Sequence, residues 1–181
     1  MFFSTDQQAC MEKRLYFCKG GYVIIRSHNH ELFVVLFHGG VALWFPLRRW
    51  LKFTTIGIDL VDETISIYKE DPFQLGDLLH CNIGGCWRLK TKQGNEVDIR
   101  ISSFKRIRNP CYIATKHGIT LQMNQWNKLK RLVRYINIKF PVISKAQCCK
   151  SAIYHPDPIS GKLCDECYPE VGRDQYNCMY D

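Results

Sequence analysis

Short apolar runs separated by turn-like polar residues characterise the chain between residues 13 and 45. The runs YVIIR (22–26) and LFVVLF (32–37) are rich in β-branched and aromatic residues, and the polar break between them is typical of a turn. Pro46, followed by apolar residues at helical spacing, predicts a helix. The next segment, 57–69, is ambiguous and fits the end of this helix region followed by an additional strand. Four strands are predicted here, at residues 13–18, 21–27, 31–37 and 40–43.

The same order of elements recurs after the linker-like stretch EDPFQLG (70–76). A basic loop is predicted at 106–117, with a short strand at 111–114 as an option. The last helix is predicted at 123–137, where one face carries Trp126, Leu129, Val133 and Ile136. The sequence therefore predicts an α+β fold of two tandem units, each a curved four-stranded antiparallel sheet with a C-terminal helix. The strands of the second unit are predicted at 78–83, 86–92, 96–104 and 118–121.

The hairpin CWRLKTKQGNEVDIRIS (86–102) sorts into two faces when Gln93-Gly94-Asn95 is a three-residue loop. One face is then apolar and the other is charged, whereas a two-residue loop would mix them. The acids can be interpreted simply, as cross-strand partners of lysines. Two arginines then lie side by side, which is unfavourable unless an anion bridges them. The charged pairs are Lys92–Glu96, Lys90–Asp98 and Arg88–Arg100, and the apolar pairs are Thr91–Val97, Leu89–Ile99 and Trp87–Ile101.

Charge divides the chain into three parts. The whole chain of 181 residues has a formal net charge of +8. Residues 1–72 carry eight Lys/Arg and eight Asp/Glu, residues 73–145 carry fourteen against three, and residues 146–181 carry three against six. The middle part, at +11, is the surface that a polyanion would choose, although such a block can also be a solvated surface. We expect three corresponding units: a first unit at 1–72, which is the degenerate copy of the repeated fold, a basic second unit at 73–145 and a Cys-rich tail at 146–181.

Cations and aromatic residues are interleaved where the charged hairpin ends. Cations hold phosphates and rings stack on unpaired bases, so this pattern favours single-stranded nucleic acid. The first unit has strands that are apolar on both faces, which indicates a scaffold buried on both sides or packed against a partner sheet. The candidate nucleic-acid contacts are Arg88, Lys90, Lys92, Arg100, Phe104, Lys105, Arg106, Arg108, Lys116 and His117.

Three motifs in the second unit occur in a recognisable order. They are FQLG (73–76), VDIR (97–100) and HGITLQMNQWNKLK (117–130). Together they resemble the C-terminal domain of transcriptional positive cofactor four, a coactivator that binds single-stranded DNA. The resemblance covers residues 73–136, and a faint second copy covers 13–65. The longer basic loop after VDIR departs from the family pattern.

The resemblance implies a curved four-stranded sheet followed by a helix, with dimerisation through the helices. Here it implies an internal pseudo-dimer of the two units, or a homodimer. The family's hairpin cations fall near Arg88, Lys90 and Lys92, and its strand-end arginine matches Arg100. Its aromatic residue is best matched by Phe104, and its loop lysine falls on His117 beside Lys116.

The acidic tail holds five of the ten cysteines. Cys164-Asp-Glu-Cys167 has the spacing of a zinc knuckle, and a small segment with little core would be stabilised by a metal. We favour a zinc site of Cys149, His155, Cys164 and Cys167, with Cys148 or Cys178 as substitutes. A redox CxxC and plain thiols are the alternatives.

No apolar run reaches the length of a membrane span, and the N-terminus does not resemble a signal peptide, so we expect an intracellular protein without membrane contact. No nucleophile or phosphate-loop motif indicates an enzyme. The leading expectation is a non-enzymatic single-stranded-DNA-binding protein of transcription or replication, nuclear or viral, with transcription machinery as a further partner. The alternatives are an RNA-binding module and a protein-interaction adaptor that docks through the zinc tail.

Overall fold

A computed structural model describes residues 13–71, 80–83, 87–92, 94–105 and 111–145. Within these ranges the side chains of 80–82, 103–105, 111–112 and 144 lie outside the description. The described chain is α+β, with two four-stranded antiparallel sheets ordered β1-β2-β3-β4 and β5-β6-β7-β8. Each sheet is followed by helix, in agreement with the predicted order of elements.

The first sheet contains the four predicted strands: β1 (Leu15–Cys18), β2 (Gly21–His28), β3 (Glu31–His38) and β4 (Val41–Pro46). Its central register aligns Ile24, Val35 and Trp44 across three strands. Gly39 and Gly40 form the β3–β4 turn with φ of 58° and 83°, a conformation that glycine adopts without the strain of a side chain.

The helix after β4 is longer than its apolar stripe predicted. It consists of α1 (Leu47–Lys52), a π-helical turn (Phe53–Gly57) and α2 (Ile58–Glu70). The additional strand that we expected within 57–69 was therefore wrong, because the helix continues through this segment. Ile58, Val61 and Ile65 are buried at helical spacing. At Gly57 in the π-helical turn, a Cβ would lie 2.7 Å from Leu89 Cδ1, so this glycine allows a close approach to the second sheet.

The second half repeats this order from β5 to the last helix. A strand replaces part of the predicted basic loop, because β8 runs without interruption through 114–118. The predicted helix is confirmed, with Trp126, Leu129, Val133 and Ile136 all buried. Its elements are β5 (His80–Asn82), β6 (Trp87–Lys92), β7 (Glu96–Lys105), β8 (Cys111–Gln122), α3 (Met123–Lys139) and a short α4 (Pro141–Ser144).

Buried side chains from both halves form one continuous hydrophobic core. Phe45 of the first sheet packs on Trp87 of the second, with ring centroids 4.3 Å apart. Phe53 contacts Trp126 edge to face at 6.1 Å. Aromatic packing thus joins the two halves, both between their sheets and between their helical segments.

The helices of the two halves cross to the opposite sheet. Helix α2 packs on β6, and α3 packs on β1. The indole N–H group of each helical tryptophan donates a hydrogen bond to the other helix. These bonds join Trp50 Nε1 to Asn137 Oδ1 at 3.1 Å and Trp126 Nε1 to Asp62 Oδ1 at 3.0 Å. Two further bonds join Asn137 Nδ2 to Thr54 Oγ1 at 3.2 Å and Lys130 Nζ to Asp62 Oδ2 at 2.6 Å.

None of the helices in these described ranges has the length and apolar character that a membrane span requires.

Candidate nucleic-acid interface

The hairpin β6–β7 has the register predicted from its sequence. All six predicted cross-strand pairs are present, from Trp87–Ile101 to Lys92–Glu96. The three-residue loop closes with a hydrogen bond from Asn95 N to Lys92 O of 3.0 Å, and Gly94 has φ of 65°. Because the apolar side chains of the hairpin enter the core, the charged side chains lie on its outer face.

The carboxylates of this outer face do not pair with the lysines opposite them, so the simple interpretation of the acids as partners of these lysines was wrong. Asp98 accepts two hydrogen bonds of 2.8 Å from Arg100, its neighbour along the strand, and a third from the Thr120 hydroxyl. Glu96 accepts a hydrogen bond from the Gln122 amide. A guanidinium offers a planar pair of donors that matches a carboxylate, which an ammonium group does not, so Arg100 is the better partner of Asp98.

Lys90 and Lys92 therefore form no ion pair with the acids opposite them. In the part of the chain that the structure describes, neither forms an ion pair. Lys92 is exposed and Lys90 is half-buried on the same face. Two cations at fixed register, neither in an ion pair with the carboxylate opposite it, are the strongest anion-binding feature of the described sheet.

Arg100 is fixed in place by its neighbours. Its side chain lies across Gly118, where a Cβ would approach Arg100 Cζ to 2.5 Å. It also donates a hydrogen bond from NH1 to the Thr115 carbonyl. The hydrogen bonds with Asp98 raise the pKa of Arg100, so the group stays cationic. An external anion is not needed to offset this arginine, contrary to our expectation, because Asp98 supplies the negative charge.

Arg88 lies opposite Arg100 as predicted, but it is buried, with only 6% of its surface exposed. Its NH1 group donates a 2.9 Å hydrogen bond to the carbonyl of Trp87. Little of its surface is accessible to a ligand in this conformation. The alternation of residues along a strand predicted its face correctly and its exposure incorrectly.

A bulge in β8 presents the next two candidates. Thr115, Lys116 and His117 together lie opposite the single residue Ile101. The Thr115 hydroxyl donates to the Ile101 carbonyl and accepts from His117 N at 3.1 Å, which stabilises the bulge. Lys116 and His117 are exposed, next to the fixed Arg100. Sequence reasoning placed them in a loop and missed the supporting threonine.

Several predicted site residues lie wholly or partly outside the described part of the chain. Phe104 and Lys105 belong to β7, but their side chains lie outside the described part, and Arg106 and Arg108 lie outside the described residues. The predicted zinc ligands also lie outside them. No group of three or more His, Cys, Asp or Glu side chains that could hold a metal occurs within the described ranges. The tail residues concerned are Cys148, Cys149, His155, Cys164, Cys167 and Cys178.

The joint between β8 and α3 is closed by a capping box. The backbone N–H of Gln122 donates to Gln125 Oε1 at 2.9 Å, and the Gln122 side chain caps the first turn in return. Gln125 Nε2 also lies 3.3 Å from His38 Nε2 at the end of β3. This compact joint fixes the helix at the edge of the basic sheet and against the first half.

Comparison with known proteins adds no assignment: no protein-family model and no curated protein sequence matches this chain.

Proposed function

We propose that this chain is a non-enzymatic single-stranded-DNA-binding protein that acts in transcription or replication. The observation that carries the proposal is the pair Lys90 and Lys92, which form no ion pair among the described residues. The exposed Lys116 extends this cationic surface along β8, with the exposed His117 beside it. Antiparallel sheets with cationic outer faces suit extended, unpaired strands, because the backbone of the nucleic acid can follow the sheet.

We propose different roles for the nucleic-acid contacts that were predicted from the sequence. Lys90, Lys92, Lys116 and His117 are direct contacts, while Arg88 and Arg100 shape the sheet beneath them. Lys105, Arg106, Arg108 and Phe104 complete the set, as the sequence predicts. The resemblance to the positive cofactor four family supports the same ligand class.

We also propose that the two halves form an internal pseudo-dimer. In each half, a tryptophan and the residue four positions later contact one polar residue of the other helix. Each half also supplies one such polar residue of its own, which accepts the bond from the other half's tryptophan. It is Asp62 in the first half, twelve positions after Trp50, and Asn137 in the second half, eleven positions after Trp126. A π-helical turn accommodates one extra residue, and the Phe53–Gly57 turn lies between Trp50 and Asp62. The two sets of hydrogen bonds are then equivalent under a two-fold exchange, which supports the proposal.

For the tail, we propose a structural zinc ion held by Cys149, His155, Cys164 and Cys167. A Cys/His set with this spacing is typical of closed tetrahedral sites, and the proposal rests on sequence alone. In an intracellular setting, nuclear or at a site of viral DNA synthesis, such a tail could dock on a protein partner of the transcription machinery.

The deciding experiment is fluorescence anisotropy of the full chain with a labelled 20-nucleotide single strand, its duplex and the RNA equivalent, at several salt concentrations. Single-stranded DNA should bind more tightly than duplex, with log K falling linearly against log salt. A preference for RNA would change the proposed ligand from DNA to RNA, while the proposed binding surface would stay the same. Absence of salt-dependent binding to all three would overturn the proposal.

A further inference from the structure

The outer face of the first sheet carries an aromatic surface that the sequence analysis assigned to a scaffold. The inward side chains of β1, β2, β3 and β4 belong to the core or pack against it, so the alternate residues lie on the opposite face. Six of these outward residues are aromatic rings or histidine. They are Tyr16, Tyr22, Phe37, Phe33, Trp44 and His28.

These rings form two platforms. Tyr22 stacks on Phe37 with centroids 4.8 Å apart, and Tyr16 meets Tyr22 at 5.6 Å. At the other end of the same strands, Phe33 meets Trp44 edge to face at 5.9 Å. Phe33 and Phe37 are four residues apart on β3, so the platforms are separated by about 13 Å.

Both platforms have surface available to a ligand. Tyr16 is 63% exposed and Trp44 is 37% exposed, whereas Trp50, Trp87 and Trp126 are at most 5% exposed. Between the platforms, Ile24 and Val35 are buried on this outer face, apart from the core cluster on the inner face of the sheet. An aromatic surface of this extent on the outside of a sheet indicates a binding face.

The charge around this face is positive. Residues 13–46 contain four Lys/Arg and one acid, Glu31, while the other described acids of the first half belong to or follow its helix. The even balance over residues 1–72 therefore conceals a basic sheet and an acidic helix. Arg14 lies over the Tyr22 ring at 4.8 Å, and Arg26 is exposed on the same face as the rings.

We infer that the outer face of the first sheet is a second single-stranded nucleic-acid site, in which bases stack on Tyr16 and Trp44 while Arg14 and Arg26 hold phosphates. Aromatic rings with neighbouring cations and few acids match unpaired bases joined by phosphates. A second copy of the chain is the less suitable occupant, because two such faces would bring their arginines together with only Glu31 to offset them. The inference rests on the proposed function for the class of ligand.

Trp44 makes the site directly observable. Stacking of a base on an indole quenches its fluorescence, and among the four tryptophans only Trp44 is accessible to a base. We expect a 20-nucleotide oligo(dT) to quench tryptophan emission of the full chain, and we expect Trp44→Phe to abolish the quenching. Trp44→Ala should weaken binding by about five-fold or more in the anisotropy assay. Tyr135→Ala removes an aromatic ring that is 47% exposed on α3 and serves as the matched control.

The outcomes separate the two proposals. Quenching that Trp44→Phe removes, together with weaker binding by Trp44→Ala, supports the second site. Binding that responds to Lys90→Ala and Lys92→Ala but leaves tryptophan emission unchanged overturns this inference and keeps the proposed function. Quenching without any response to the two lysine variants overturns the proposed surface and keeps the inference. A change from dimer to monomer on Trp44→Ala in sedimentation, without an effect on oligo(dT) binding, assigns the face to a second copy and overturns the inference.

Discussion

Replacement of Asp62 tests how the two halves of the chain are held together. Its carboxylate accepts hydrogen bonds from Trp126 Nε1 at 3.0 Å and from Lys130 Nζ at 2.6 Å. Trp126 is fully buried, so Asp62→Ala leaves its indole N–H without a protein acceptor. An unsatisfied buried donor costs about 1–3 kcal/mol, and we take the lower half because Asp62 is 40% exposed and water can replace part of the bond.

The ion pair between Asp62 and Lys130 contributes less to the free energy of unfolding than the indole hydrogen bond does. The side chains of Lys130 and Asp62 are 22% and 40% exposed, and pairs of this kind contribute about 0–1 kcal/mol. We therefore expect Asp62→Ala to lower the free energy of unfolding by about 1–3 kcal/mol, or roughly 2–12 °C in Tm for a chain of this size. Asp62→Asn keeps an acceptor for Trp126 and should cost no more than about 1 kcal/mol.

Urea unfolding of both variants, followed by circular dichroism, measures these differences. Glu63→Ala removes the same charge from an exposed neighbour on α2 and is the matched control. A double-mutant cycle of Asp62→Asn with Lys130→Ala isolates the ion pair. If Asp62→Ala were no more destabilising than Glu63→Ala, the indole hydrogen bond would contribute nothing, and the reasoning would be refuted.

Four further predictions address other parts of the molecule. Asn137→Ala should destabilise the chain by about 1–2 kcal/mol, because it removes the acceptor of the buried Trp50 indole, and unlike the Lys130 pair this loss should not change with salt in urea unfolding. Lys90→Ala with Lys92→Ala should reduce the slope of log K against log salt by about 1.4, measured by anisotropy, while Lys69→Ala on α2 should leave the slope unchanged. Gly118→Ala should lower the free energy of unfolding by about 1–3 kcal/mol, because the added Cβ would collide with the Arg100 side chain. The loss should be much smaller in an Arg100→Ala background, and equal losses in both backgrounds would contradict the close approach of Arg100. The purified full chain should contain close to one zinc per molecule by elemental analysis, Cys164→Ser should remove it and Cys18→Ser should not, so a metal-free wild-type chain would count against the tail proposal.

The register of the second hairpin could be predicted from sequence, because alternation and the Gly94 turn allow only one sorting of apolar and charged residues. The hydrogen-bond partners of Asp98 and Glu96 could not be predicted from sequence. They depend on which donors the neighbouring strand brings alongside, and Thr120 and Gln122 come from β8, whose pairing with β7 includes a bulge. A bulge changes which residues meet without changing the composition of either strand.

The aromatic face of the first sheet was missed for a different reason. Strands that are apolar on both faces are usually buried on both faces, so YVIIR and LFVVLF indicated a scaffold. The counter-signal was Tyr16, Tyr22, Phe37 and Trp44 at alternating positions with Arg14 and Arg26. Aromatic residues are counted as apolar in such patterns, although their rings also serve as exposed binding surfaces.

The contacts between the helices also bear on why two halves would share one chain. In the proposed exchange, Lys130 is equivalent to Thr54, and Asp62 is equivalent to Asn137. A symmetric dimer of first units would place Asp62 against Thr54, and a symmetric dimer of second units would place Asn137 against Lys130, so neither could form the Asp62–Lys130 ion pair. Only the mixed pairing combines that ion pair with the neutral Asn137–Thr54 contact. We propose that this difference favours pairing of unlike units over pairing of like units, which is specificity achieved through a difference in partner energies. Once the helices no longer need to be self-complementary, each sheet is free to carry its own outer face, and the basic face and the aromatic face are the two that this chain displays.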